Sequence, residues 1–405
     1  LETPTSTRLK AAKAQPVKIA IDVRRLRDFG IGTYLRNLLN ALAVADTQNH
    51  YLLIAQKSDA PQLAHLPSTF QPVFYGRRDT DRSEHIFLPL FLNRLKPDLV
   101  HFPTNRVPLL LRRRYVVTVH DMSTLLFSGD SGFWTNVRRF RFRRGLLRAA
   151  KVITVSATTS RDVQNILSIP PDRIRIVYSA PAPEFFDREF PALLVNEAGP
   201  EAARQAAAAE RRRILERYQI QQPFLLYAGN IRPQKNIPRL VEAFAVARAE
   251  LEADPRYKNL RLIIIGDEIS KYPAVRRAVM QSRVEHSVRF LGFVPFETLR
   301  VFYELAAAFV FPSLYEGFGL PPLEAMASGT PVVTSEIGAL PEAVGEAAVL
   351  VNPENVFDIA RGIREVLLNE DLRAALIEKG RRHASTFSWE RTAREVVEIY
   401  RQVCP

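Results

Sequence analysis

Short β-branched and aliphatic runs alternate along this chain with stretches of helical periodicity, the pattern of buried parallel strands joined by crossover helices. In the first half the strand-like runs are 17–22, 51–55, 99–102, 115–120, 151–155 and 174–178; in the second they are 224–228, 260–266, 288–291, 308–312, 331–334 and 348–351. The pattern predicts an α/β protein of two successive doubly wound units. Between them, residues 187–218 are rich in Ala, Glu and Arg and lack strand-like anchors, so they read as an inserted helical linker. The expected boundaries are a flexible arm over 1–16, a first domain over 17–187, a linker over 188–221, a second domain over 222–387 and a final segment over 388–405.

A length of 405 residues agrees with two cores rather than one. Charge changes the picture more than size does. Residues 1–180 hold 28 Lys and Arg against 13 Asp and Glu, whereas the remainder holds 28 against 30, so the net charge of +13 belongs to the first half. That half should meet something anionic: nucleic acid, an acidic membrane surface or a phosphate-bearing acceptor. The lone cysteine, Cys404, permits no disulfide within these residues and no thiolate metal cluster, which suits a reducing, cytoplasmic setting. No run of about 18 apolar residues suggests a membrane span.

The segment from Phe309 to Val333 carries the most specific chemistry. An apolar strand ends at Pro312, a glycine-bearing loop follows, and Pro321-Pro322 supplies the fixed φ that suits a helix start. Glu316 then stands on the loop and Glu324 is expected in the first helical turn. Amides around Gly319 and Leu320 form an anion site suited to a diphosphate. A carboxylate at Glu324 can accept from neighbouring sugar hydroxyls, and Glu316 can reach a second polyol beyond the phosphate. A dipole-complementing Glu and a solvated loop acid are the plainer explanation for two glutamates by themselves; here the spacing, glycines and double proline agree.

This segment closely resembles the E-x7-E signature of retaining family-4 glycosyltransferases, similar to mannosyltransferases of surface-polysaccharide biosynthesis. The resemblance covers the chain from about residue 17 to the end and is stronger in the second half. It implies the GT-B fold, two Rossmann-like domains facing across a cleft. The first would take the acceptor, the second the nucleotide sugar, and the last helix would cross back to the first. Residues 226–237 then resemble the strand and loop that bring basic side chains to the donor pyrophosphate, placing Lys235 on the phosphates with Arg232 nearby. Many relatives have Arg at the position of Gln234, which Arg232 is expected to replace. Gly229, Gly266 and Val294 lie at strand ends that resemble the phosphate loop and nucleobase slot, and Gly317 and Phe318 complete the loop between the two glutamates.

In the first half, Phe29-Gly30-Ile31-Gly32 follows the opening strand. Its glycines would otherwise read as a helix-entry turn; the resemblance implies that Gly30 and Gly32 face the donor phosphates. His120 ends an apolar strand, where parallel sheets present ligand sites. A histidine there is most often structural, and the resemblance assigns it to the transferred sugar, with its carbonyl near the anomeric carbon. Asp121 fixes a loop or orients the acceptor, and Ser156, an N-cap by position, is the other acceptor-side candidate. Ser179 and Ala180 stand where relatives commonly have Asn-Gly.

Asp79-Thr80-Asp81 has the form of a metal-binding DxD motif but lies among arginines without a presenting strand, so no essential metal or other cofactor is expected. In the stretch 133–148, Phe133, Val137, Phe140 and Leu147 are expected to form a core stripe. Six arginines with Phe142 occupy the other face, either a solvated helix or one resting on anionic lipid.

The implied reaction is retaining, metal-independent transfer of a hexose, with GDP-mannose favoured and UDP-sugars open. The acceptor would be a hydroxyl of a glycan or lipid-linked oligosaccharide, with peripheral contact to the inner face of an anionic membrane. Two rivals are a GT-B-fold sugar-nucleotide epimerase, which would act on donor without acceptor, and a non-catalytic nucleic-acid-binding protein. The second has no recognised motif here, and no nucleic acid partner is expected.

Overall fold

A computed structural model describes residues 15–28, 30–81, 83–108, 110–127, 132–186, 192–267 and 269–404, without the side chains of 133, 134, 192–200 and 203. Most of the expected flexible arm, Phe29 and the junction at 187 therefore lie outside the described residues.

Among the described residues, thirteen strands form two all-parallel sheets. The first contains β1 (Lys18–Asp22), β2 (His50–Ala55), β3 (Phe70–Phe74), β4 (Leu99–Phe102), β5 (Tyr115–Val119), β6 (Lys151–Thr154) and β7 (Ile174–Ile176), in the order β3-β2-β1-β4-β5-β6-β7. The second contains β8 (Phe224–Ala228), β9 (Arg261–Ile265), β10 (Val288–Gly292), β11 (Ala308–Phe311), β12 (Val332–Ser335) and β13 (Val349–Val351), in the order β10-β9-β8-β11-β12-β13. This is the two-unit, Rossmann-like architecture that the alternating pattern predicts. The strand missed by that pattern is β3. It is an edge strand containing Gln71 and Pro72, and a proline is tolerated there because one of its sides needs no ladder partner.

Both sheets reverse their strand order once, between β1 and β4 and between β8 and β11. Loops leaving such neighbouring strands diverge and open a crevice at the carboxyl ends. In the second sheet this brings the loop after Ala228 beside the loop after Phe311, although more than eighty residues separate them.

The first sheet is covered on one side by the helices Ile31–Ala45 and Trp389–Val403, whose buried residues share one apolar cluster. Tyr400 of the last helix meets the buried His101 ring at 2.6 Å, and Arg114 donates to the Val403 carbonyl at 2.9 Å. The other side carries the helices Glu84–Leu95, Phe133–Arg148 and Ala157–Leu167. Here the expected stripe is corrected. Phe142 and Leu146 enter the core and Phe140 is exposed, because the face that meets the sheet is set by the spacing 142, 146, 149. Residues 192–218 form one helix, Ala192–Tyr218, whose Arg211 pairs with Glu304 of the second unit.

Candidate active site

The second sheet's crevice holds a polar constellation built on Lys235 and Glu316. Lys235 ends a short 3-10 turn (Pro233–Lys235) after β8, and its Nζ lies 2.5 and 2.7 Å from the two carboxylate oxygens of Glu316. Their side chains are 14% and 12% exposed, so the pair is shielded from bulk water yet reachable from the cleft. Asn236, unremarked in the sequence, fixes this approach. It adopts a left-handed conformation (φ 61°), opens the helix Ile237–Glu250, and donates from Nδ2 to the carbonyls of Pro312 (3.0 Å) and Pro353 (2.7 Å). The Leu314 amide also donates to the Gln234 carbonyl at 2.7 Å. Gln234 thus serves the loop through its backbone, while Arg232 is exposed at the mouth.

Glu316 leads through Gly317 and Phe318 to Gly319, which starts the helix Leu320–Ala327 with φ 127°, a conformation that favours glycine. Pro321 and Pro322 carry no N–H, so the amides this helix start can offer a ligand come from Gly319 and Leu320. Glu324 is not in the first turn as expected but is the fifth helical residue, because the helix begins one residue before the proline pair. Its carboxylate accepts from the Tyr303 hydroxyl at 3.1 Å, and burial pushes its pKa up to about 7 against the opposing effect of that hydrogen bond. The Phe318 side chain packs with Tyr178 and Phe387 in an aromatic group at the domain junction.

Gly266 allows the neighbouring strand ends to close up: a Cβ there would stand 2.0 Å from the Gly229 carbonyl oxygen. Beside them Asp267 accepts from the Ile231 amide (3.1 Å) and the Tyr272 hydroxyl (3.2 Å). Burial raises the Tyr272 phenol, Asp267 adds to the rise, and nearby Arg232 opposes it. Val294 is buried just past Gly292.

Across the cleft, His120 follows β5. Its Nε2 donates to the Pro103 carbonyl at 3.0 Å, which leaves the lone pair on Nδ1, and its ring meets Tyr34 edge-on at 4.6 Å. Burial lowers its pKa, so the ring is neutral near pH 7. The His120 carbonyl lies against the loop of the second domain: a Cβ on Gly317 would come within 1.8 Å of that oxygen. The glycine between the glutamates therefore lets one domain's loop touch the other domain's strand end. Asp121 accepts from the Ser123 amide (2.8 Å) and hydroxyl (2.6 Å), which orders the turn after His120.

Ser156 is fully buried. It caps the Ala157–Leu167 helix by accepting from the Thr159 amide and donates across the junction to the Gly317 carbonyl at 2.6 Å; Thr159 donates to the same oxygen at 2.9 Å. Tyr315 reaches back, donating to Asp162 at 2.7 Å and accepting from the Met122 amide at 3.1 Å. Glu342, which no sequence motif marks, accepts from the Ala157 amide (2.7 Å), the Thr158 amide (3.2 Å) and the Tyr178 hydroxyl (2.8 Å). Such cross-domain partners leave no local pattern.

Gly32 answers a packing demand, since a Cβ there would sit 2.4 Å from the Leu26 carbonyl oxygen, while Gly30 (φ 81°) is exposed at the helix entry. Asp79 of the DxD-like triplet accepts from Arg25 Nε at 2.6 Å. Arg24 is held between Asp22 and Glu84, at 2.7 and 2.6 Å, which anchors the turn after β1. His120, Gly317, Ser156, Glu316, Lys235 and the start of the Leu320 helix thus line one junction. Arg232, Asp267 and Val294 mark its far side in the second domain.

Residues 210–383 match the family model of glycosyl transferases group 1, and residues 30–180 match that of glycosyltransferase family 4. The chain is 29% identical over 398 residues to O-antigen chain mannosyltransferase B of Escherichia coli, covering 92% of this chain and 96% of that one. It is 30% identical over 311 residues to an uncharacterized glycosyltransferase of Methanocaldococcus jannaschii, covering 75% and 73%. Among solved structures, HepE of Anabaena in complex with UDP-glucose superposes with a TM-score of 0.72 at 17% identity, over 95% of this chain and 100% of that one.

Proposed function

The chain belongs to glycosyltransferase family 4, with the GT-B fold, and we propose that it moves mannose from GDP-mannose to a hydroxyl of a lipid-linked glycan, with retention at the anomeric carbon. Similarity along nearly its whole length to an O-antigen chain mannosyltransferase supports both the sugar and a role in polysaccharide biosynthesis. The observation that carries the reading is the Lys235–Glu316 pair beside the amide-bearing start of the Leu320 helix, at the strand-order reversal of the second sheet.

In this reading the donor diphosphate lies against the Gly319 and Leu320 amides. It draws the Lys235 ammonium onto its oxygens, and Arg232 adds a second cation from the mouth. Charge on the leaving diphosphate is then met without an essential metal. Glu316, released from Lys235, accepts from sugar hydroxyls. Neutral His120 contacts the sugar, and its carbonyl lies where positive charge develops at the anomeric carbon. Glu324 accepts from the ribose diol, and Gly229, Gly266 and Val294 border the base.

Retention by a double displacement requires a free carboxylate at the anomeric face. Asp121 is held by Ser123 and Asp162 by Tyr315, and Glu316, once Lys235 turns to the diphosphate, is occupied with the sugar hydroxyls. That favours attack on the same face as departure, with the leaving phosphate taking the acceptor proton. The test is incubation with GDP-mannose and a lipid-linked glycan acceptor, with the product linkage read by NMR. An α-mannosyl product supports the reading; a β-linkage, or a free C2-inverted sugar made without acceptor, refutes it.

A further inference from the structure

The mechanism leaves the most basic surface of the first domain unused. Residues 84–150 contain 12 Lys and Arg against four acids. Of those four, Glu84 is buried against Arg24, Asp121 holds the Ser123 turn, and Asp98 precedes β4 at the end of the sheet away from the cleft. Asp130 lies outside the described residues.

The same region concentrates exposed apolar side chains. The helix Glu84–Leu95 presents Ile86 (53% exposed), Phe87 (42%) and Leu90 (54%); the helix Phe133–Arg148 presents Phe140 (60%); Leu110 (60%) protrudes from the segment joining β4 to β5. These pieces form one face. Both helices pack on the same side of the first sheet through Leu88, Leu92, Phe142 and Leu146. Arg141 contacts His85 across them, Arg113 donates to Asn93 (3.4 Å), and Arg148 donates to the Leu111 carbonyl (2.6 Å). Arg77 stacks over the Phe87 ring at 3.9 Å, and Arg139 and Arg144 are exposed beside Phe140.

We propose that this face, formed by the helices Glu84–Leu95 and Phe133–Arg148 with the Leu110 segment between them, docks the protein onto an anionic lipid bilayer. Guanidinium groups meet the headgroups while Ile86, Leu90, Leu110 and Phe140 enter the acyl boundary. Apolar side chains protruding from convex helices between arginines match a lipid interface. A polynucleotide would offer phosphates to the arginines and bases to the phenyl rings, but no stacking partner for the aliphatic Ile86, Leu90 and Leu110, which an acyl boundary accommodates.

The face also runs to the cleft. Arg138 donates to the Thr124 carbonyl in the turn Ser123–Leu126, where Leu126 is exposed. Phe127 then lies 5.7 Å, ring to ring, from Tyr315, the neighbour of Glu316. A bilayer held here would feed a lipid-linked acceptor to the cleft's edge; that purpose rests on the proposed acceptor, the docking itself does not.

The test is co-sedimentation of the full chain with vesicles of phosphatidylcholine alone and of phosphatidylcholine with phosphatidylglycerol. Circular dichroism and the thermal response to GDP report on fold and donor site. Binding is expected only to anionic vesicles, falling about thirtyfold in the double variant Arg139→Gln/Arg144→Gln. A fall of at least about tenfold is expected in Leu90→Ser/Phe140→Ser. Failure to bind either vesicle, equal binding to both, or unchanged binding by these folded variants overturns the proposal. So does binding to single-stranded RNA that the arginine variant abolishes while vesicle binding is untouched. Vesicle binding that survives in a protein unresponsive to nucleotide upholds the docking face and refutes the donor reading instead.

Discussion

Glu342 in the second domain caps a helix in the first, its Oε1 accepting the Ala157 amide at 2.7 Å. Oε2 accepts the Thr158 amide at 3.2 Å, and the Tyr178 hydroxyl adds a third contact at 2.8 Å. A carboxylate at a helix N-terminus is stabilised by the unpaired amides and the dipole, by about 1 kcal/mol. Because donor and acceptor of these bonds sit in different domains, that energy holds the two halves together.

Glu342→Ala should therefore weaken closure without touching the nucleotide. We expect turnover to fall about tenfold while GDP affinity changes less than about twofold, consistent with loss of roughly 1–2 kcal/mol of charge-assisted hydrogen bonding. Small-angle scattering in the presence of donor should show a larger radius of gyration than wild type. Equal loss of nucleotide affinity would contradict this division of labour.

Gly317→Ala tests the closest approach across the cleft. A methyl 1.8 Å from the His120 carbonyl oxygen cannot be accommodated, so the Glu316 loop must retreat from β5. A displacement of about 1 Å at a reacting centre costs on the order of a hundredfold in rate. Transfer should drop by at least that much, and the melting temperature should fall modestly because the buried Ser156 and Thr159 hydroxyls lose the Gly317 carbonyl; retained transfer would mean that the domains need not meet here.

The fold was largely legible from periodicity, since strands buried on both faces write themselves as β-branched runs. Twelve such runs mark strands, and β3 escaped because Gln71 and Pro72 break its pattern. Lys235, Glu316 and Glu324 are legible from local spacing and resemblance, and strand order explains why Lys235 and Glu316 meet. Their supports were not legible. Asn236 acts through a left-handed backbone and two distant carbonyls, Tyr315 through Asp162, and Glu342 through a helix 185 residues earlier. Phe140 and Phe142 exchanged places because two residues of helical phase decide which face meets the sheet, and the sheet is not visible in the stretch itself.

Glu324 predicts a pH dependence. Its carboxyl is pushed from an ordinary 4.5 to about 7 by burial, so the folded protein binds a proton that the unfolded chain has released between those values. This group's contribution to stability therefore falls as pH rises from about 4.5 to 7. Binding runs the opposite way, because the ionised form accepts from a ribose diol. Calorimetry should show GDP affinity rising from pH 5.5 to about 7.5 and then levelling, with proton release at the acid end. Glu324→Gln should bind weakly with no such pH profile.

The Lys235–Glu316 pair predicts non-additive stability. Lys235→Ala leaves a shielded carboxylate without its cation, a costlier state than losing both partners. Lys235→Ala should melt lower than Lys235→Ala/Glu316→Ala, and both should lose transfer by about a thousandfold, the scale of removing a charge-stabilising group from a reacting centre. Additive melting shifts would show that the pair is not energetically coupled.

The most direct measurement is the thermal shift of the protein with GDP, UDP, ADP and their sugars, repeated on Lys235→Ala and Glu324→Ala. GDP and GDP-mannose should stabilise the protein, by about 2.7 kcal/mol at a hundredfold excess over Kd, and the effect should be strongly reduced in both variants. No response to any nucleotide, or an undiminished response in both variants, would contradict the proposed donor site.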